Sequence, residues 1–228
     1  MLAIVHQPDA GPGVFADAIR DAGAALDSWL LPRSREPPSD PLGYDAVLTF
    51  GGAMHPDQVG EHPWLAREKA VLGELLDRGM PLLGVCLGSE LVAEAAGAQA
   101  RRGSPEIGWC QVESTAEAAR DPLMAPLGAS FEALEWHSFE VTLPPGAVAL
   151  ARSESCLQAY RVGTTAWGIQ FHAEVTLADF EAWLDDFRSD PDAAGLDPDE
   201  LRSATRATIT GWNELGRELC ARFLSVAR

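Results

Sequence analysis

The chain of 228 residues is long enough for one α/β domain, and its hydrophobic fraction of 46% is ample for a buried core. Its 34 acidic and 17 basic residues give a net charge of −17, which argues against nucleic acid and anionic membranes as partners, because both repel a strongly negative protein. The chain opens with a short apolar run that lacks a basic region, and no segment is long enough to span a bilayer, so we expect a cytoplasmic protein.

The first third of the chain predicts alternating strands and helices. Residues 2–6 and 25–31 are short runs typical of strands, and the apolar positions of 14–22 recur at helical spacing. A strand, a helix and a second strand in this order are the usual beginning of a doubly wound parallel sheet. Further strands are predicted at 45–50, 81–85 and 166–171, and further helices at 64–78 and 87–96.

Between residues 99 and 166 the pattern changes to short alternating runs, which predict antiparallel strands joined by turns. These runs are 109–113, 131–139, 147–152 and 157–162. Thr176, with Asp179 three residues on, is a predicted helix N-cap, and one or two closing helices are predicted within 201–226. We therefore expect one domain over 1–228, with an open, mostly parallel α/β sheet flanked by helices and extended by antiparallel strands.

Cys86 lies where the predicted strand 81–85 meets the helix 87–96, within the pattern Gly84-x-Cys86-x-Gly88. This pattern is the cysteine form of the nucleophile elbow, a strained strand-to-helix turn whose glycines leave room for a raised nucleophile. The start of a helix also favours the thiolate, which is the reactive form. A buried structural cysteine between two glycines is the alternative.

A cysteine nucleophile needs a base and a group that orients the base. The apolar strand 166–171 runs into His172, and Glu174 follows two residues later. Residues two apart in extended backbone project to the same side, so the Glu174 carboxylate can reach the His172 imidazole. On its own a His-x-Glu pattern is more often a solvated loop, but its position at a strand end favours a site at the sheet edge.

A tetrahedral intermediate needs donors for its oxyanion. The strand 45–50 runs directly into Gly51 and Gly52, where backbone N–H groups can point into a site without a side chain in the way. The amides of Gly52 and Leu87 are therefore candidate oxyanion donors. An ordinary glycine turn after a strand is the alternative.

Three ordered motifs, Phe50-Gly51-Gly52, Gly84 to Gly88 and Gly168 to Glu174, resemble those of the class I glutamine amidotransferases. The resemblance covers essentially the whole chain. Within the family, the chain is similar to the stand-alone branch related to the amidotransferase domain of GMP synthase. It implies a flavodoxin-like fold. It also implies roles for five residues, with Cys86 as nucleophile, His172 as base and then acid, Glu174 as orienter, and Gly52 and Leu87 as oxyanion donors.

The resemblance also implies where the substrate lies. The backbone of His137, Ser138 and Phe139 would hold the α-groups of the substrate across the pocket from Cys86, although an aromatic core cluster is the alternative for this segment. Glu90 stands where the family usually has a glutamine that helps to bind the free amino-acid end of the substrate. A carboxylate there attracts an ammonium group and repels an α-carboxylate.

These residues predict acyl transfer from glutamine or another γ-glutamyl amide through a thioester, with release of ammonia and then glutamate. Such a glutaminase would supply ammonia to a separate synthase subunit. A self-contained hydrolase of γ-glutamyl peptides or conjugates, and a non-catalytic binding or regulatory protein, are the alternatives. We expect no metal and no other cofactor, because His55 and His62 lack a third ligand, and no disulfide framework, because the four cysteines show no paired spacing.

Overall fold

The structure, a computed structural model, describes residues 1–187 and 190–227. Within these residues nine strands form one mixed sheet. The strands are β1 Leu2–Val5, β2 Asp27–Leu30, β3 Val47–Thr49, β4 Leu82–Val85, β5 Ala100–Ser114, β6 Ser130–Val141, β7 Val148–Arg152, β8 Leu157–Val162 and β9 Ala166–Ile169. The α-helices are α1 Gly13–Asp21, α2 Trp64–Asp77, α3 Leu87–Ala95, α4 Leu177–Asp186 and α5 Pro198–Val226.

The strand order is β2-β1-β3-β4-β9-β8-β7-β5-β6. The first five of these strands pair in parallel, and every later pairing is antiparallel. The parallel half arises because helical crossovers return the chain to the same end of the sheet, whereas the later strands follow one another through short turns. The predicted fold class, a parallel α/β sheet with added antiparallel strands, is confirmed.

Two apolar layers cover the faces of the parallel strands. Side chains alternate along β1, so that Ala3 and Val5 face the layer with α1, α4 and α5, whereas Leu2 and Ile4 face the layer with α2 and α3. All four side chains are buried. Burial on both faces explains why β1 is a continuous apolar run rather than an alternating one.

Helix α3 packs unusually close to the strands that precede it. A Cβ atom added to Gly88 would lie 2.2 Å from the Thr49 carbonyl oxygen, and one added to Gly84 would lie 2.6 Å from the Gly88 carbonyl oxygen. Neither position therefore tolerates a side chain without movement of the backbone. The two glycines let the start of α3, and with it Cys86, approach the ends of β3 and β4.

The structure differs from the predicted elements mainly in length. Strand β5 is much longer than the predicted run 109–113. A register irregularity between Arg102 and Glu106 breaks the alternation of side chains, so the pattern did not predict the first part of the strand. Of the one or two closing helices predicted within 201–226, the structure forms one, α5, which begins at Pro198. The predicted N-cap is confirmed, since Thr176 and Asp179 form a reciprocal capping box at the start of α4. No helix within the described residues is long and apolar enough to cross a membrane.

Candidate functional site

The carboxyl ends of the parallel strands meet at one edge of the sheet, which is where open α/β sheets build their sites. A cavity of about 490 Å³ opens there. It is lined by eight of the nine site residues expected from the sequence, which are Gly52, Cys86, Leu87, Glu90, His137, Ser138, Phe139 and His172. The ninth, Glu174, lies behind His172. The fold thus brings together residues as distant along the chain as Gly52 and Glu174.

Cys86 has a strained backbone. Its φ of 51° makes it the only non-glycine residue with positive φ among those that the structure describes. The turn is held because the Cys86 N–H donates to the Ile169 carbonyl at 2.9 Å, and α3 begins at the next residue. A strained conformation persists only where its surroundings enforce it, and such positions cluster at functional sites. The geometry is that of a nucleophile elbow.

His172 and Glu174 form a buried pair. His172 Nδ1 lies 2.8 Å from Glu174 Oε1, with side chains 3% and 1% exposed. Burial opposes the charged imidazolium, but the Glu174 carboxylate and the Cys86 sulfur outweigh it and hold the pKa of His172 well above its usual value. The pair is fixed from behind, because Trp212 Nε1 donates to the His172 carbonyl at 2.7 Å.

Gly51 separates Cys86 from His172. A Cβ atom added to Gly51 would lie 3.1 Å from His172 Cε1 and 3.9 Å from Cys86 Sγ, so both side chains border the same glycine. Both side chains therefore border one small space, and the Cys86 sulfur is one of the groups that raise the pKa of His172. Glycine at this position is what leaves the space between them.

Two residues that line the cavity have a backbone N–H without a backbone acceptor in the described part of the chain. The Gly52 N–H follows the end of β3, and the Leu87 N–H is the first of α3, which has no intrahelical partner. Their neighbours are paired, since Gly88 N–H donates to the Phe50 carbonyl at 3.0 Å. A pair of fixed, unpaired donors beside a thiol is suited to binding a developing negative oxygen.

Glu90 lies on the first turn of α3 and is 3% exposed. Its Oε1 accepts a hydrogen bond from Gln170 Nε2 at 3.0 Å. Burial raises the pKa of Glu90 to about 7, against the opposing effects of His137 and of the Gln170 hydrogen bond. A group that titrates near neutral pH therefore borders the cavity.

His137 belongs to a cluster of buried charges. Its Nδ1 donates to the Phe139 carbonyl at 2.9 Å, and its Nε2 lies 3.2 Å from Glu106 and 3.3 Å from Glu135, aligned with neither as a hydrogen bond. The two carboxylates hold the pKa of His137 well above its usual value, although burial opposes this. The imidazolium balances buried negative charge next to the cavity. Glu106 faces His137 directly across β5 and β6, a pairing that the sequence alone did not reveal.

Cys156 joins this cluster, with its Sγ 3.5 Å from Glu106 Oε2. Glu106, His137 and Cys156 offer an oxygen, a nitrogen and a sulfur within 4.8 Å of one another, a donor set that suits zinc. Glu135, on the other side of His137 Nε2 at 3.3 Å, places this imidazole between two carboxylates. As a nucleophile Cys156 compares poorly with Cys86, because burial raises the pKa of its thiol and it lies outside the cavity of about 490 Å³.

Some cavity residues were missed or misjudged from the sequence. His55, expected on the surface, is half-buried, lines the cavity and stacks on Phe139 with ring centroids 4.5 Å apart. Trp183, on α4, also lines the cavity and packs edge-on against His172 with ring centroids 4.8 Å apart. Neither has a motif that marks it, and only the long-range packing brings them to the site.

Comparison with known proteins agrees with this geometry. The family model for class-I glutamine amidotransferases matches residues 15–189. The chain belongs to the class-I glutamine amidotransferase family. The solved structure of a glutamine amidotransferase from Thermotoga maritima superposes with a TM-score of 0.88, at 27% identity, over 98% of this chain and 96% of that one.

Three relatives differ in the activities that their names state. The chain is 29% identical over 188 residues to the glutamine amidotransferase-like protein YfeJ of Salmonella typhimurium, covering 79% of this chain and 78% of that protein. It is 30% identical over 161 residues to one subunit of the glutamine-hydrolyzing GMP synthase of Natronomonas pharaonis, covering 69% and 79%. It is 31% identical over 147 residues to a gamma-glutamyl-L-1-hydroxyisopropylamide hydrolase of a Pseudomonas species, covering 60% and 49%.

Proposed function

We propose that the protein hydrolyses the side-chain amide of glutamine through a γ-glutamyl thioester on Cys86. The observation that carries this proposal is the strained Cys86 turn beside the buried pair of His172 and Glu174. A nucleophile, an adjacent base and a group that orients the base are the three parts that this kind of covalent acyl transfer uses.

In the first half-reaction, the Cys86 thiolate, beside protonated His172, attacks the side-chain carbonyl carbon. The carbonyl π electrons move to oxygen, and the amides of Gly52 and Leu87 donate to the resulting oxyanion. The intermediate collapses to the thioester as the C–N bond breaks, and protonated His172 delivers its proton to the departing ammonia.

In the second half-reaction, neutral His172 takes a proton from water, and the hydroxide attacks the thioester carbonyl. The C–S bond then breaks, which restores the Cys86 thiolate beside protonated His172, and glutamate leaves. Glu174 keeps the imidazole in the orientation that both steps need, and its negative charge stabilises the imidazolium. The chain's own residues supply every proton transfer in this scheme.

The relationship to one subunit of a glutamine-hydrolyzing GMP synthase supports glutamine as substrate. It also supports a separate synthase subunit that receives the ammonia, since a relative named as one subunit implies at least one further subunit in that enzyme. We propose such a partner as the acceptor of ammonia.

A second candidate is hydrolysis of larger γ-glutamyl amides or conjugates without a partner. The leaving amine is what distinguishes such substrates from glutamine, because every γ-glutamyl amide carries the same free α-carboxylate that ionised Glu90 beside the cavity would repel. The cavity of about 490 Å³ also lies within the range of roughly 300–1,000 Å³ that holds drug-sized ligands, which are larger than glutamine. The Pseudomonas relative is named as a hydrolase of one γ-glutamyl amide.

The deciding experiment measures ammonia and glutamate release from L-glutamine, and then amine release from a panel of γ-glutamyl amides, by the purified protein. Turnover is expected, and Cys86→Ala should lower kcat by at least about 10³-fold. Cys156→Ser is the matched control, because Cys156 also lies near a histidine and a glutamate but has no role in the proposed mechanism. This variant should retain turnover.

The outcomes separate the candidates. Preference for glutamine supports the glutaminase, and preference for a larger γ-glutamyl amide supports the self-contained hydrolase. Loss of turnover in Cys156→Ser together with retention in Cys86→Ala would overturn the assignment of the nucleophile. Absence of turnover on every substrate, with no acylation of Cys86, would favour a non-catalytic member of the fold.

A further inference from the structure

A second buried polar network lies beside the cavity and has no part in the mechanism above. His6 and Glu68 are both fully buried, and His6 Nε2 lies 2.8 Å from Glu68 Oε2. Thr49 Oγ1 donates to the other Glu68 oxygen at 2.6 Å. Burial of a histidine and a carboxylate is costly unless each polar atom is paired, so a network of this kind is retained only where its hydrogen bonds are complete.

The contacts define where the protons lie. His6 Nδ1 lies 3.0 Å from the Gly51 carbonyl oxygen, which can only accept, so Nδ1 carries a proton. Burial opposes a charged imidazole, but the Glu68 carboxylate outweighs it and raises the pKa of His6. Trp64 stacks on the imidazole with ring centroids 5.4 Å apart and holds the ring in plane. The His6 donor is therefore fixed in direction and strengthened by its partner.

The acceptor of this donor belongs to the peptide that links Gly51 to Gly52. No cis peptide bond occurs among the described residues, so the Gly51 carbonyl and the Gly52 N–H point in opposite directions. The hydrogen bond from His6 holds the carbonyl away from the cavity and thereby turns the Gly52 N–H toward the other side. Gly52 itself packs on His6, because an added Cβ would lie 2.8 Å from His6 Cβ.

The next peptide is held as well. Gln7 Oε1 accepts a hydrogen bond from the Ala53 N–H at 2.6 Å. The peptide that carries the Gly52 N–H and the peptide after it are each bound by a side chain that follows β1, while the Gly52 N–H has no backbone acceptor of its own in the described part of the chain. Two side chains thus fix the conformation of the turn that presents this amide.

We propose that His6, supported by Glu68, is a positioning residue for the oxyanion donor Gly52, and that its hydrogen bond to the Gly51 carbonyl both orients and polarises the Gly52 N–H. Hydrogen bonding to the carbonyl of a peptide strengthens the donor at the other end of the same peptide. The proposal rests on the proposed function, because it concerns a step in which an oxyanion forms.

The test compares two reagents that both modify the same thiol. A γ-glutamyl chloromethyl ketone reacts through addition of sulfur to its carbonyl, which creates an oxyanion, whereas iodoacetamide reacts by direct displacement of iodide and creates none. Removal of one oxyanion donor typically lowers kcat by about 10²–10³-fold. For His6→Leu we expect losses of roughly 10–100-fold in kcat/KM and in the rate of inactivation by the ketone, with little change in the rate of iodoacetamide alkylation.

Two milder variants protect the test against a folding defect. His6→Asn keeps a donor near the position of Nδ1 and should recover part of the ketone reactivity. Glu68→Gln keeps an acceptor for His6 but removes the charge, so its loss should be smaller than that of His6→Leu. Thermal unfolding of each variant shows whether the fold is retained.

Equal losses with both reagents, or no loss with either, would overturn the positioning role while leaving the proposed function in place. A merely structural role of His6 predicts equal losses, because displacement of Cys86 affects both reactions. Failure of the wild-type protein to turn over any γ-glutamyl amide or to react with the ketone at Cys86 would instead overturn the proposed function, and this inference with it.

Discussion

Glu90 is a single residue whose charge state bears on the choice of substrate. Burial raises its pKa to about 7, so the carboxylate is largely neutral at pH 6 and largely ionised at pH 8. Ionised Glu90 repels the α-carboxylate of glutamine. We therefore expect the KM for glutamine to rise by roughly tenfold between pH 6 and pH 8, and Glu90→Gln to remove most of that rise and to improve glutamine hydrolysis at pH 8.

A control for this prediction lies on the same helix. Glu94 pairs with Lys69 at 3.0 Å and does not line the cavity, but its charge contributes to the raised pKa of Glu90, so Glu94→Gln should keep the rise in KM and move it to lower pH. Measurement of KM at both pH values for the three proteins checks the prediction. A Glu90→Gln variant with the wild-type pH dependence would show that another group near the substrate titrates.

At the scale of the element, the close packing of α3 against the strand ends makes a sharp prediction about glycine. Gly88→Ala should destabilise the fold by roughly 1–3 kcal/mol or more, because its Cβ would meet the Thr49 carbonyl at 2.2 Å. It should also lower kcat, because Cys86 at the start of the helix is displaced. Urea unfolding and steady-state kinetics measure the two effects.

The matched variant is Gly73→Ala in the interior of α2. A Cβ there has no neighbour within 4 Å, and alanine is the better helix former. We expect stabilisation by about 0.5–1 kcal/mol and unchanged kinetics. Equal stability of the two variants would mean that α3 can shift away from β3 at little cost.

At the scale of the whole molecule, the net charge of −17 sets up self-repulsion. Salt shortens the range of this repulsion from about 30 Å at 0.01 M to about 8 Å at 0.15 M. We expect Tm at pH 8 to rise over this range of ionic strength, and the rise to vanish near pH 4.5, where the sequence pI lies.

Salt also weakens exposed ion pairs such as Arg206 with Glu181, which lowers Tm, but each pair stabilises the fold by only about 0–1 kcal/mol. Differential scanning calorimetry at both pH values separates the two effects. A fall in Tm with salt at pH 8 would show that ion pairs outweigh the net repulsion.

The sequence also predicted much of the architecture at this scale. Strand and helix alternation predicted the parallel half of the sheet. The spacing of Trp212, Leu215, Leu219 and Phe223 along α5 is typical of a packed helix face, and three of the four are buried while Leu215 packs partly buried against the same core. The length of β5 could not be predicted, because the irregularity between Arg102 and Glu106 destroys the alternation on which strand prediction depends.

By itself, the sequence determined the features that depend on a few adjacent residues. The elbow around Cys86, the spacing of His172 and Glu174 and the capping box of α4 are local, because the backbone geometry of neighbouring residues already decides which groups can meet. Only the tertiary structure decided the pairs that join distant strands. His6 meets Glu68 across 62 positions, and Glu106 faces His137 through the register of β5 and β6. Such pairs depend on crossovers and strand register, which no local pattern encodes.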